Sequence, residues 1–214
     1  MYPQFTKWYQ DPLGLKPLQL STAFGFVWGS ASITAYLLLT KKDSAFKKNF
    51  SFFADAGMSF GYKPPFTTVA ESSVGVLYDI RRCMAVGLEW NIFHFKSNID
   101  DTYTFGLRPL ARFYPYKNRS VKLFFEYGAG VSLSSTKFPT TGTGKDADTG
   151  RTGTRFNLTS KYGVGIEFHT KKKFSVQLGA RHFHLSNGNI KGLKRNPSHD
   201  SNGFFTGIFY KIFP

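Results

Sequence analysis

The sequence predicts an all-β fold, an eight-stranded antiparallel transmembrane β-barrel with an extra N-terminal hydrophobic segment. Three observations carry this. Apolar and polar residues alternate with period two along most of the chain, which sets one apolar face and one polar face on each strand. The composition is aromatic and glycine-rich, with 24 Phe, 11 Tyr and 21 Gly, and only 19% of residues are charged. The connections between the alternating runs are short and long by turns, as in transmembrane barrels.

Residues 1–17 carry Pro3, Pro12 and Pro17 and read as irregular. Residues 18–40 carry no charge, and Lys41-Lys42 follow. That length suits a membrane-spanning helix or the core of an export signal. No small-x-small cleavage site follows, which weighs against a signal peptide. A β-hairpin is the competing expectation. Leu18, Leu20, Thr22, Phe24, Phe26 and Trp28 alternate with smaller or polar residues, and Gly29-Ser30 suits a type II′ turn. Residues 1–47 are therefore expected to be an extension, and 48–214 the barrel.

From residue 48 the alternation is regular. Phe50, Phe52, Ala54 and Ala56 open the first strand, and Val74, Val76 and Tyr78 lie in the second. Met84–Ile92, Tyr103–Phe113, Val121–Val131 and Phe156–Phe168 supply the next four. Residues 174–186 make the seventh, and Phe204–Phe213 the eighth. The polar faces mix Glu, Asp, Arg and Lys with glycines, which fits a narrow interior where opposite charges pair. The apolar faces are rich in aromatics, as lipid-facing girdles are. A soluble lipocalin-like barrel reverses this arrangement and puts the apolar face inside. An even strand number and an aromatic last strand fit a bacterial outer-membrane barrel instead. The short connections are 80–82, 115–120 and 169–173. The longer ones pass through Pro64-Pro65, 97–102, 135–154 and 187–201, and are expected outside the cell.

The net charge of +15 points to an anionic partner: nucleic acid, phospholipid, or glycolipid phosphates. With no arginine-rich helix or nucleic-acid motif, the membrane leads; the plainer alternative is that cationic turns merely solubilise the barrel ends. The single cysteine, Cys83, excludes an internal disulfide and most cysteine metal sites. No cofactor or metal is expected. The Gly-x-Gly spacings at Gly128/Gly130 and Gly163/Gly165 lie inside strands, without the helix a phosphate loop requires, and read as small residues packing the interior. Glu126 and Glu167 have inward parity and read as interior ion-pair partners.

The chemistry concentrates in Ala180-Arg181-His182-Phe183-His184-Leu185-Ser186-Asn187-Gly188. Phe174, Val176, Leu178 and Ala180 share a face with His182, His184 and Ser186. An imidazole beside a hydroxyl is the minimum pair for activating a serine nucleophile. Here it sits on the apolar side of the strand, at the outer-leaflet end. Asn187 or a nearby backbone N–H, such as that of Gly188, suits an oxyanion. Asp200 has the parity of Phe204, Thr206 and Ile208, which brings a carboxylate near His184.

His184-Leu185-Ser186-Asn187-Gly188 resembles the His-x-Ser-Asn-Ala/Gly motif of the PagL-type lipid A 3-O-deacylases, also called acyloxyacyl hydrolases. Asn196-Pro197 and Asp200-Ser201 resemble that family's Asn-Pro loop and acidic position. Phe125–Gly130 and Gly153–Asn157 resemble its strand signatures. The resemblance is good over 103–214 and one of pattern over 48–102. It implies an outer-membrane barrel with a serine hydrolase site facing lipid, and lipid A or lipopolysaccharide as substrate. It implies Ser186 as nucleophile, His184 as base and Asn187 as oxyanion contributor. The family's acid is typically Glu, so Asp200 is a departure, and the 18–40 segment lies outside the family pattern. The contrasting expectation is a non-catalytic barrel, a scaffold or accessory subunit of an outer-membrane protein complex.

Overall fold

The computed structural model describes residues 23–40, 49–62, 66–118, 120–141, 150–170 and 173–212. One helix, α1 (Ala23–Leu39), precedes eight strands: β1 (Phe50–Gly61), β2 (Thr68–Arg81), β3 (Met84–Lys96), β4 (Asp101–Lys117), β5 (Val121–Phe138), β6 (Thr154–His169), β7 (Phe174–Ser186) and β8 (His199–Lys211). Each strand pairs with its sequence neighbour, and β1 closes on β8, so the sheet is a closed barrel. The β1–β8 seam is antiparallel and runs from Ser51↔Lys211 to Gly61↔Ser201. Closure satisfies every strand edge, which a wall in hydrocarbon requires. The alternation expected from the sequence is present. Phe52, Val74, Trp90, Phe105, Leu133, Val164 and Ile208 face outward and are exposed on the barrel wall.

The uncharged N-terminal segment is helical where it is described, and the hairpin expectation is corrected. A closed barrel offers no free edge for added strands, and the 31–39 stretch is rich in Ala and Leu, good helix formers. No described helix is long and apolar enough to cross a membrane. α1 lies against the outside of the barrel wall. Tyr36 Oη is 2.7 Å from Cys83 Sγ, and its ring meets Phe113 edge-on at 6.3 Å. Arg81 donates to the Leu37 carbonyl at 3.3 Å, and Gly29 sits close to the Tyr127 ring. Val27, Trp28, Leu38 and Leu39 remain exposed, as suits a helix bordered by lipid.

The interior is more than charges and glycines. At its centre Asp55, Glu71, Glu89, Glu126 and Glu167 face Arg108, Arg112, Lys122, Lys161 and Arg181, all buried. Acids and bases are equal in number. Arg108 bridges Glu89 and Glu71, Lys161 bridges Glu89 and Glu126 at 2.8 and 3.2 Å, and Arg181 bridges Asp55 and Glu71 at 3.0 Å each. Arg112 pairs with Glu126 at 2.6 Å, as Lys122 does with Glu167. Gly128 and Gly163 leave room beside the Arg108 and Arg181 stems. Two aromatic layers flank this network: Phe93, Phe95, Phe138 and Phe183 toward the long-loop end, and Phe53, Tyr114, Phe124, Phe205 and Phe209 toward the other. Guanidinium groups join layer to layer, with Arg112 4.0 Å from the Phe124 ring centroid and Arg181 4.7 Å from that of Phe205.

Glu89 is the acid that Arg108 and Lys161 share. Replacing it as Glu89→Leu leaves buried cations under-compensated and is expected to cost about 3–5 kcal/mol. Urea unfolding in detergent micelles checks this, with the exposed Asp101→Asn as a control that leaves the midpoint in place.

Candidate active site

The outward row of β7 changes character near its end. Val176 and Leu178 are exposed, whereas His182 is fully covered and His184 and Ser186 are half-buried. The β7–β8 register places His184 opposite Asp200 and His182 opposite Asn202. On the other side, β6 sets Ser160 beside His184, Leu158 beside Ser186 and Tyr162 beside His182. Directly paired antiparallel residues on one face are near neighbours, so the register alone delivers a carboxylate to the imidazole.

The side chains complete the contact. His184 Nδ1 donates to Asp200 Oδ1 at 2.8 Å. That bond fixes the tautomer and leaves Nε2 as the acceptor. Nε2 lies 3.1 Å from Ser186 Oγ, whose hydroxyl donates to it. The three residues therefore form a continuous hydrogen-bonded run of hydroxyl, imidazole and carboxylate at the long-loop end of the barrel, on its outer face. The Asp side chain spans the distance despite being shorter than Glu, because its backbone lies directly across the ladder from His184.

Asn187 and Gly188 begin the β7–β8 connection, and the structure gives them different jobs. Asn187 is buried, and its side-chain amide donates to the Arg195 carbonyl and to Thr154 Oγ1 at 3.3 Å. Its Oδ1 accepts the Asn189 N–H at 3.0 Å, and its own N–H donates to Asn196 Oδ1 at 2.8 Å. Its donors thus hold the loop. Gly188 has φ 61°, a left-handed conformation that favours glycine, and a Cβ there would come within 2.9 Å of Leu158. Its N–H has no acceptor among the described residues. The same loop is stitched to the β5–β6 connection, where Thr152 N–H donates to the Lys194 carbonyl at 3.1 Å and Arg195 donates to the Gly153 carbonyl at 3.1 Å.

The family model described as lipid A 3-O-deacylase (PagL) matches residues 75–209, more than half of the chain. The chain belongs to that family. Deacylase-family membership and the closed barrel place it in the bacterial outer membrane. Among solved structures it is similar to Neisserial surface protein A, with 13% identity, a TM-score of 0.58, and 78% of this chain and all 100% of that one covered. It is also similar to the outer-membrane enzyme PagL, with 17% identity, a TM-score of 0.52, and 75% of this chain and 99% of that one covered. At these identities the likeness is one of fold. No curated protein sequence matches the chain significantly.

Sequence patterning put His182 on the right face but supplied no reason for its burial. That reason is tertiary. Tyr62, from the connection after β1, lies 6.2 Å from the His182 ring, and Tyr162 lies 4.8 Å from it. Asn196 was visible only as part of an Asn-Pro pair, while its role as acceptor for the Asn187 N–H comes from loop geometry. Asn187→Ala removes the side-chain bonds that pin the loop. A local cost of about 1–3 kcal/mol is expected, read as faster protease cleavage within 187–198 while the barrel itself stays intact.

Proposed function

We propose that this deacylase-family barrel is an outer-membrane serine esterase that hydrolyses an ester-linked acyl chain of lipid A. The observation that supports it most is the unbroken run Ser186–His184–Asp200 on the lipid-facing wall, with bond lengths of 3.1 and 2.8 Å. Ser186 Oγ attacks the ester carbonyl carbon, and His184 Nε2 takes the hydroxyl proton. Asp200 holds the ring and stabilises the imidazolium that forms. His184 then returns the proton to the sugar oxygen as the carbon–oxygen bond breaks, leaving an acyl-serine. A water molecule, deprotonated by His184, attacks that acyl group; the bond to Ser186 Oγ breaks, His184 returns the proton to Oγ, and the fatty acid leaves.

The donor we assign to the oxyanion is the Gly188 N–H, with Asn187 holding the turn that presents it. The acyl chain lies along the outer wall of Leu178, Ala180 and Ile208. Ile190 and Leu193 are exposed on the loop, interleaved with the exposed Lys191 and Lys194. Such a loop sits at headgroup depth, its apolar residues in the acyl region and its lysines at phosphate level. Arg195 is half-buried beside them. Lipid A carries the phosphates and the esters this arrangement suits.

Ser186→Ala is expected to abolish deacylation with the barrel still folded, since the residue ends a strand and fills little volume. Asp200→Asn is expected to retain more activity, because an orienting group is not the attacking one. Mass spectrometry of lipid A from cells producing each variant reads both. Full activity in Ser186→Ala, or unchanged lipid A with the wild-type chain, returns the molecule to the scaffold reading. Lys191→Ala with Lys194→Ala is expected to raise KM with kcat little changed, measured on purified protein with lipid A in mixed micelles.

A further inference from the structure

Charge is divided unevenly between the two ends of the barrel. In sequence, the short connections 80–82, 115–120 and 169–173 carry seven Lys or Arg and no Asp or Glu, whereas the long connections 97–102, 135–154 and 187–201 carry six and five. The long loops are therefore close to balanced, and the uncompensated positive charge sits at the short-turn end. Two of its lysines are well placed on the rim. Lys117 ends β4 and is exposed, and Lys173 directly precedes β7 and is half-buried. Neither forms an ion pair with a described residue. The described acids at this end are Asp79 and Glu167. Glu167 is occupied by Lys122 at 2.6 Å. Asp79 is half-buried and lies in the field of Lys117, Lys122 and Lys211 together.

The same end carries an aromatic belt. Phe50 meets Tyr78 with ring centroids 4.6 Å apart, and Phe174 meets Tyr210 at 5.0 Å. Phe50, Tyr116 and Phe174 are exposed on the wall. Such belts lie at headgroup level. Each rim lysine adjoins a belt residue: Lys117 follows Tyr116, and Lys173 precedes Phe174, with its Nζ 5.9 Å from the Tyr210 ring centroid.

We propose that the short-turn rim, through Lys117 and Lys173, binds the phosphate headgroups of anionic glycerophospholipids in the leaflet from which the short turns emerge. The proposal stands apart from the esterase reading. Solvation alone is met by mixed charge, as the long loops show. A surplus of one sign repels itself and is stabilised by an anionic surface. Lipid A is not that surface, because in barrels of this kind the long loops face outward and the short turns face the periplasm. A barrel embedded in a bilayer holds its turns at one depth. Lysines beside the belt can therefore lay their stems along the rings and keep the ammonium group at phosphate level.

The test offers the full chain, folded in dodecyl maltoside micelles, equal amounts of phosphatidylglycerol and phosphatidylcholine with the same acyl chains. Native mass spectrometry counts the lipid each protein retains. Wild type is expected to prefer phosphatidylglycerol by roughly 20-fold or more. Lys117→Gln with Lys173→Gln is expected to lower that preference about 5–20-fold, at roughly fivefold per lysine near an anionic surface. Lys117→Arg with Lys173→Arg keeps the charge and is expected to keep the preference. Lys96→Gln with Lys137→Gln removes two exposed lysines at the long-loop end and is expected to leave the preference in place. Folding of each variant is read from its heat-modifiable migration on gels. If the glutamine pair does not fold, Lys173→Gln alone carries the test, with a loss of about fivefold expected. Wild type without a preference overturns the proposal, as does a folded glutamine variant that matches wild type. So does an arginine pair that falls as far as the glutamine pair, or a long-loop pair that does. Excess inorganic phosphate, compared with chloride at equal ionic strength, is expected to leave the lipid bound. Specific displacement by phosphate assigns the rim to the free anion and overturns the lipid assignment.

Discussion

The ion-pair network inside the barrel is the constraint on which the rest depends. Each charge there has been taken out of water, and an unpaired one would be costly. Among the described residues, five acids and five bases at the centre, bridged through Arg108, Lys161 and Arg181, balance one another. The aromatic layers on either side place rings near guanidinium groups, Phe93 beside Arg108 and Phe124 beside Arg112. A lumen filled in this way leaves its chemistry to the outer wall.

On that wall the polar residues obey the same rule by different means. Asp200, His184, His182 and Asn202 are each hydrogen-bonded or in ionic contact, and two tyrosines cover the deepest ring. Polar groups facing lipid are tolerated only when their partners are at hand. Two adjacent strands, β7 and β8, supply those partners, so their pairing assembles the site. Asn187 ties the loop down through the Arg195 carbonyl and Thr154, which sets the backbone direction at Gly188.

Period-two alternation made much of this legible in the sequence. Phe52, Trp90 and Val164 were expected outside and Glu126 inside, and they lie there, because a strand admits only two faces. His184, Ser186 and Asp200 were expected on one face, and register brings them together. Their catalytic roles rest on the proposal above and not on parity. What alternation does not contain is anything set by closure or by loops. It left the 18–40 segment between helix and hairpin, since an uncharged run fits both; the closed edge decides. It gave no hint that Phe95 and Phe138 pack together inside, centroids 4.2 Å apart, because those rings belong to strands that meet only once the barrel is curled. It offered Asn187 or a nearby backbone N–H for an oxyanion, and did not contain the Asn187 side-chain bonds to Arg195 and Thr154, which meet only in the folded loop.

α1 docks on one side of the cylinder, against Phe113 of β4 and the Cys83 turn between β2 and β3. The β7–β8 seam lies around the circumference from it. A cylinder surrounded by bilayer is open to its solvent from every direction, but this one has part of its girth covered by its own chain. Among the described residues, one flank is covered by the chain's own helix near the short-turn end, on the side of β3 and β4, and the β7–β8 pair is not. The protein has in effect a front and a back within the membrane plane, which an eight-stranded barrel alone does not possess.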